Sequence, residues 1–388
     1  MSPKKHFLIL TSDSGFGHRT AANAIAEAFR IQHPQDAVTH VVNPIFRESV
    51  AHFLQKIELN YDQTMKEYPD EYRFFYEFSD NRSVSSLVES ILTWALQKSI
   101  QNLIDEIQPH AIINANPMFN APVGSVLDKT NQQIPFYTVI TDLADVHKMW
   151  FNDKPERFYV ATNTVRDKAI ETGLHPKKIL VSGIPVDPTF ESIKTPRPEM
   201  KMKLGLNPEL VTLLFVGSRR VRRIFENLKA LEKISSSFQA VVIAGGDDDL
   251  YEKIQARTWG FPIHVKNYVE NIPEWMLGSD VLITKAGGMI LSEGLAAGLP
   301  MIIIDHLPGQ EEGNRKYIID QGAGVAVENP KSFYKLINEW LENDKMLLKL
   351  FANKSHLLGR PEAAFTIASG KRLSPFAVES GGFKKAGG

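Results

Sequence analysis

The stretch TKAGGMILSEGLAAGLP, Thr284 to Pro300, sets two glycines behind an apolar run and a glutamate six residues past the first of them. Val281 to Thr284 reads as the end of a strand, and Gly287 and Gly288 open a helix that Gly298 stops. A helix start offers unpaired N–H groups and a partial positive charge, and missing side chains let a diphosphate reach the backbone. Glu293, one to two turns in, is placed to accept from two neighbouring ribose hydroxyls; otherwise it is a surface glutamate after a tight turn. The next loop, DHLPGQEEGN from Asp305 to Asn314, follows another strand and concentrates Gln310, Glu311 and Glu312 beside a glycine turn. Side chains of that kind suit sugar hydroxyls. A phosphate cradle and a polyol clamp on adjacent strand ends point together to a nucleotide sugar.

Four further stretches carry polar groups at strand ends. TSDSGFGHRT places Gly15 and Gly17 between a strand and a helix, but with His18 at the helix start and Thr20 where a dinucleotide fingerprint needs glycine or alanine. NAD is therefore a poor fit. His18 is either a general base toward a hydroxyl acceptor or an ordinary hydrogen-bonded histidine. ITDLADVHKMWF supplies Asp142, a base or a turn cap, with His147 and Trp150 as candidate cleft residues. GSRRVRR, Gly217 to Arg223, either meets phosphate or lies exposed; Gly217 and Ser218 are assigned to the donor side together with Thr284. GGDDDL holds Asp247 and Asp249 in a D-x-D spacing that binds a divalent metal in one class of sugar transferase. A helix start already serves the diphosphate here, so no metal is expected.

These loops need strands to position them, and the chain provides a regular alternation of short apolar runs with helical periodicity, the pattern of parallel sheets covered on both faces. Strands are predicted at Phe7–Thr11, Ala37–Val42, Ala111–Asn114, Phe136–Thr141, Arg157–Ala161 and Lys178–Ser182. A second set is predicted at Leu210–Val216, Gln239–Ala244, Ile263–Lys266, Asp280–Thr284, Met301–Asp305 and Gly324–Val327. The polar, proline-bearing ESIKTPRPEMKMKLGLNPE separates the sets, which places domains at residues 1–195 and 196–355, with 356–388 as a segment returning to the first domain and ending in a frayed tail. Phe333, Leu336, Ile337, Trp340 and Leu341 form a helical core stripe. Two facing doubly wound units leave a cleft between the carboxyl ends of their strands, where such sheets bind ligands.

Composition sets the outer bounds. At 388 residues and 43% apolar the chain is long enough for two cores, and a net charge of −1 gives no reason to expect nucleic acid. There is no cysteine, which excludes disulfides and thiolate-ligated zinc and fits a reducing compartment. Phe7 to Leu10 is too short an apolar run for a signal peptide, and no stretch has the roughly 18 to 20 apolar residues that span a bilayer. A soluble or peripheral protein is expected. Between Ile45 and Leu103, aromatics (Tyr61, Tyr68, Tyr72, Phe74, Phe75, Tyr76, Phe78, Trp94) interleave with Arg47, Lys56, Arg73 and Arg82, a composition that suits either an anionic bilayer interface or a core.

The chain resembles the diacylglycerol glycosyltransferases, which include plant monogalactosyldiacylglycerol synthases and bacterial processive diacylglycerol glucosyltransferases. The likeness runs from SGFGHR through TDLADVHKMWF, YVATNTVRDKAIETG and VSGIPVDPTF to TKAGGMILSEGLAAGLPMIIIDHLPGQEEGN. It implies an α/β GT-B fold, a UDP-glucose or UDP-galactose donor, a diacylglycerol acceptor, inversion at the anomeric carbon and no cofactor or catalytic metal. It also implies peripheral attachment to an anionic membrane surface, on the cytoplasmic, inner face of the cell membrane. Carried onto this sequence, His18 is the acceptor-side base or its organiser, with Asp142 as a second catalytic candidate. Gly287, Gly288 and Glu293 hold diphosphate and ribose, Gln310 and Glu311 the sugar, and the Val269 backbone the uracil. Gly15, Gly17, His147 and Trp150 shape the acceptor side. The sequence departs from the family in having fewer glycines in SGFGHR and in replacing the usual proline before the phosphate-binding glycine, giving KAGG. A transferase using another lipid-linked acceptor, a nucleotide-sugar epimerase and a non-catalytic UDP-sugar sensor are the alternatives.

Overall fold

A computed structural model of the chain describes residues 4–14, 17–47, 50, 52–60, 74, 78–342 and 345–370. Twelve strands form two wholly parallel sheets. The first contains β1 (Lys5–Leu10), β2 (Ala37–Val42), β3 (Ala111–Asn114), β4 (Phe136–Val139), β5 (Arg157–Val160) and β6 (Ile179–Val181), in the spatial order β2-β1-β3-β4-β5-β6. The second contains β7 (Val211–Val216), β8 (Phe238–Ile243), β9 (Ile263–Lys266), β10 (Val281–Lys285), β11 (Met301–Asp305) and β12 (Gly324–Ala326), in the order β12-β11-β10-β7-β8-β9. Each predicted strand is present, with ends moved by at most two residues. The order of connection reverses between β1 and β3 in one sheet and between β7 and β10 in the other, and at such switch points neighbouring loops part and leave a crevice.

The strands bury alternate residues on opposite faces. In β1, Leu8 and Leu10 join a core shared with Ile100 and Leu103, while Ile9 joins Ala22, Ile25 and Phe29 on the other side. Three helices of this half matter for the site: α1 (Gly17–Gln32), α2 (His52–Leu59) and α3 (Arg82–Ile107). The second sheet carries α4 (Gly288–Ala296) and α5 (Glu312–Asp320) toward the first domain. On its far face lies α6 (Pro330–Leu341), whose Phe333, Ile337, Trp340 and Leu341 are buried as the apolar stripe requires, with Leu336 partly so. After α7 (Met346–Leu358) the chain crosses back, and Ala364, Ile367 and Ala368 of α8 (Ala363–Ala368) pack into the core around α1.

One apolar cluster belongs to both halves. Leu143, Ile184, Val186 and Phe190 from the first pack with Leu291, Leu295 and Ile303 from the second. Polar contacts fix the register at this joint: the Asn314 side chain accepts from the Leu143 N–H at 2.8 Å and donates to Asp142 at 3.3 Å. Two glycines make the approach possible. A Cβ on Gly288 would lie 2.4 Å from the Thr141 carbonyl oxygen, and one on Gly313 would lie 2.2 Å from the Asp145 Cβ. At Gly287 the nearest atoms would be 3.5 Å away, an ordinary contact. We expect Gly288→Ala to lower the unfolding free energy by about 1–3 kcal/mol, as overpacking against rigid backbone does. Gly287→Ala should stay within about 0.5 kcal/mol of the parent. Urea unfolding of the two variants checks this, and equal stability of both would contradict the assigned contact.

Candidate active site

The switch points of the two sheets open into one cavity of about 600 Å³ at the domain joint. Its second-domain wall is built on the ends of β7, β8, β10 and β11. After β10, Ala286 donates to the Asp305 carbonyl, and Gly287 then serves as N-cap of α4 in extended conformation with no side chain capping it. The first-turn N–H groups of α4 thus face the cavity beside Gly287, with the helix dipole adding positive potential there. Gly217, Ser218, Arg219 and Arg220 line the cavity after β7, and Gly245 and Gly246, both at positive φ, line it after β8. The Ser218 hydroxyl oxygen accepts from the Arg220 N–H at 3.3 Å. Thr284 also reaches the wall, though its hydroxyl donates to the Val216 carbonyl at 3.0 Å and ties β10 to β7.

Buried carboxyls are the dominant electrostatic feature. Glu293 is 5% exposed, has no hydrogen-bond partner among the described residues, and burial, with some repulsion from Asp187, pushes its pKa up to about 8. Asp142 of the first domain is pushed up to about 7, again mainly by burial, with the Asn314 hydrogen bond opposing. Glu311 is 6% exposed but is paired: Lys285 donates to one oxygen and the Leu307 N–H to the other at 2.8 Å. Gln310 lies beside it on the cavity wall.

On the opposite wall stand Ser14, Gly17, His18, Thr20 and Thr141. The His18 Nδ1 lies 3.0 Å from the Thr141 hydroxyl, and burial lowers its pKa to about 4, against the pull of the Ala115 carbonyl. The ring is neutral at working pH. Trp150, 1% exposed, sits behind it with ring centroids 6.0 Å apart. His147 is farther from the cavity. Its Nδ1 accepts from the Met149 N–H at 3.2 Å and its Nε2 lies 3.1 Å from the Ser79 hydroxyl. His147 and Trp150 therefore support the wall and do not line it.

The structure thus brings His18, Asp142, Gly17, Gly217, Ser218, Thr284, Gly287, Gly288, Glu293, Gln310 and Glu311 around one space. Gly15 lies outside the described residues. Val269 packs against the interdomain core, and its neighbour Tyr268, 72% exposed, reaches the cavity mouth. Among residues that sequence reasoning passed over, Ser14, Met289, Ile290 and Leu307 line the cavity and only the tertiary contacts reveal them; the glycine pair Gly245–Gly246 after a predicted strand was a usable signal. Asp247 caps the helix Asp248–Gln255 by accepting from the Leu250 N–H at 3.1 Å, and no carboxylate or histidine cluster able to hold a metal occurs among the described residues. Of the aromatic and basic stretch, residues 61–73 and 75–77 lie outside the described residues, whereas Phe74, Phe78 and Trp94 are exposed. No helix of the described residues is long and apolar enough to cross a membrane.

Two doubly wound domains facing each other across one cleft define the GT-B fold. Structures with the same fold include MurG of Acinetobacter baumannii (TM-score 0.61, 14% identity, 94% of this chain and 98% of that one). Another is the UDP-GlcNAc 2-epimerase from Neisseria meningitidis bound to UDP-GlcNAc (TM-score 0.57, 13% identity, 94% and 99%). Residues 18–186 match the monogalactosyldiacylglycerol (MGDG) synthase family, and residues 196–356 match the glycosyl transferases group 1. The chain is 30% identical over 373 residues to monogalactosyldiacylglycerol synthase 3, chloroplastic, of Arabidopsis thaliana, covering 94% of this chain and 80% of that one. It is 31% identical to the probable monogalactosyldiacylglycerol synthase 3, chloroplastic, of Oryza sativa subsp. japonica (94% and 73%). The chain belongs to the MGDG synthase family.

The raised pKa values have a thermodynamic consequence. Between about pH 4 and 8 the native protein holds protons on Asp142 and Glu293 that the unfolded chain, with ordinary values of 3.8 and 4.5, has released. Their contribution to stability is therefore full below about pH 4 and is lost as pH rises through 7 and 8, by at most about 1.4 kcal/mol per pH unit for each group. Without ligand, Glu293→Gln should flatten this decline. Urea titrations from pH 5 to 8.5 read it, and parallel pH profiles for variant and parent would contradict the burial of a partnerless carboxyl.

Proposed function

We propose that this protein transfers a hexose from a UDP-sugar to the free hydroxyl of diacylglycerol, with inversion at the anomeric carbon and without a metal. The observation that carries the reading is that the uncapped start of α4 and the partnerless Glu293 open into the same cavity as His18 and Asp142 of the other domain. In the reaction the acceptor oxygen attacks the anomeric carbon, the bond to UDP breaks and the electron pair leaves on the diphosphate. The α4 N–H groups, aided by the positive charge of Arg219, Arg220 and Lys285, stabilise that leaving charge. Glu293 takes the ribose hydroxyls, the backbone at Tyr268–Val269 the uracil, and Gln310 and Glu311 the sugar. Either UDP-galactose or UDP-glucose suits these contacts. The names of the matched relatives make UDP-galactose the donor to test first.

The acceptor proton has two candidate destinations. His18 is neutral but a weak base; Asp142, held near 7, is better matched to taking a proton at working pH. A general base must be unprotonated, so the acid limb of kcat/KM is expected near pH 7 if Asp142 takes the proton and near pH 4 if His18 does.

The acceptor is insoluble, so the first domain must meet a membrane. Leu87, Ile91 and Trp94 of α3, 62%, 46% and 69% exposed, supply apolar surface for reversible docking to an anionic leaflet, on the cytoplasmic face.

Radiolabelled UDP-galactose or UDP-glucose incubated with diacylglycerol vesicles and chelator should yield labelled glycolipid. Labelled free epimer, or binding without turnover, would favour the epimerase or sensor, and activity restored only by manganese would overturn metal independence. By calorimetry, Glu293→Ala should weaken UDP binding at least about tenfold, the loss of its hydrogen bonds to the ribose hydroxyls, while His18→Ala keeps it and lowers turnover. Equal loss of UDP affinity in both variants would sink the assignment. A Leu87, Ile91 and Trp94 triple replacement by serine should reduce sedimentation with anionic vesicles while leaving UDP binding intact.

A further inference from the structure

The turn after β1 carries Ser14 to the cavity, and Gly17 and His18 follow in the first turn of α1. A single carboxylate from a distant element holds that turn. Glu58 of α2 is 8% exposed, and its Oε1 accepts from the Asp13 N–H at 2.6 Å, the Ser14 N–H at 3.2 Å and the Asn43 side-chain amide at 2.8 Å. The Asn43 amide also donates to Asp13 Oδ2 at 2.8 Å, while Arg19 in the first turn of α1 pairs with Asp13 Oδ1 at 2.6 Å. The second oxygen of Glu58 is buried and has no partner among the described residues. Glu58 does not line the cavity, so it touches no substrate.

Helical spacing adds a second connection. Leu54 and Glu58, four residues apart, face inward, and Phe53 and Ile57, also four apart, face outward at 46% and 61% exposed, followed by Leu59 at 69%. The helix that grips the catalytic loop therefore carries apolar surface on its outside.

We propose that Glu58 is a positioning residue for the transfer reaction: its carboxylate fixes the Asp13–Ser14 backbone and, through the Asp13–Arg19 pair, the first turn of α1 that carries His18. Consecutive backbone N–H groups converging on one anion are strong, directional donors, and a buried carboxylate cannot be replaced by an amide there without turning an N–H₂ toward them or toward an unpartnered buried position.

This inference rests on the transferase reading, and the experiment separates the two. In folded Glu58→Gln, amide hydrogen exchange at Asp13 and Ser14 should accelerate at least about tenfold in the local-opening regime. UDP affinity and the KM for UDP-sugar should stay within about twofold, because the second domain is untouched, while kcat with diacylglycerol vesicles falls about tenfold to hundredfold, the penalty for a catalytic group displaced by about an ångström. Glu58→Asp, which keeps the charge and shortens the reach, should show the same split to a smaller degree and stands in if the glutamine variant does not fold. Unchanged exchange, parental kcat, or UDP affinity lost in step with kcat would overturn the proposal. If the parent itself forms no glycolipid, the transferase reading fails, and the exchange rates alone still decide whether Glu58 holds the loop.

Discussion

The joint between the domains depends on two bare backbone positions, Gly288 and Gly313. Because Gly288 has no side chain, the Thr141 carbonyl of the first domain rests against the start of α4 in the second. From that contact much of the site follows. The Thr141 hydroxyl is 3.0 Å from the His18 ring, Asp142 and Leu143 reach Asn314, and the apolar cluster behind them merges the two cores. A methyl group at Gly288 would lie 2.4 Å from the Thr141 carbonyl oxygen, so the backbone there would have to shift.

A site assembled this way must bury polar groups from two directions, and the consequence appears in its carboxyls. Glu293 and Asp142 are removed from water with too few donors to satisfy them, so burial raises both pKa values. Glu311, by contrast, is paired with Lys285. A cleft that sets carboxyls with few protein donors beside an uncapped helix start is complementary to a ligand that brings both hydroxyls and anionic oxygens.

The first domain contributes less ligand chemistry and more positioning. His18 is held by Thr141 and backed by Trp150, and its loop is gripped from outside by Glu58. Both α2 and α3 present apolar residues outward. The second domain, with α6 sealing its far face, is comparatively self-contained.

Sequence alone determined the strands, the two-sheet architecture and the glycine-led helix start, because short apolar runs and glycines act locally: burial alternates every second residue, and a helix begins where its capping and backbone freedom allow. The glycine pair Gly287–Gly288 was legible as bare backbone at a strand end for the same reason, and it lines the cavity. What the residues could not state is which loops share one space. His147 and Trp150 have the right types in the right stretch, yet they end up behind the wall, because the buried Ser79 and the core around Trp150 claim them. Glu58, Met289 and Ile290 carry no motif and matter through position only. The reason for Gly288 as an interdomain contact, the pKa shifts of Asp142 and Glu293, and the grip of Glu58 on Asp13 all come from groups 45 to 172 residues apart or from burial by many elements together. Local propensity reaches a few residues along the chain; distance through space and exclusion of water are properties of the assembled fold.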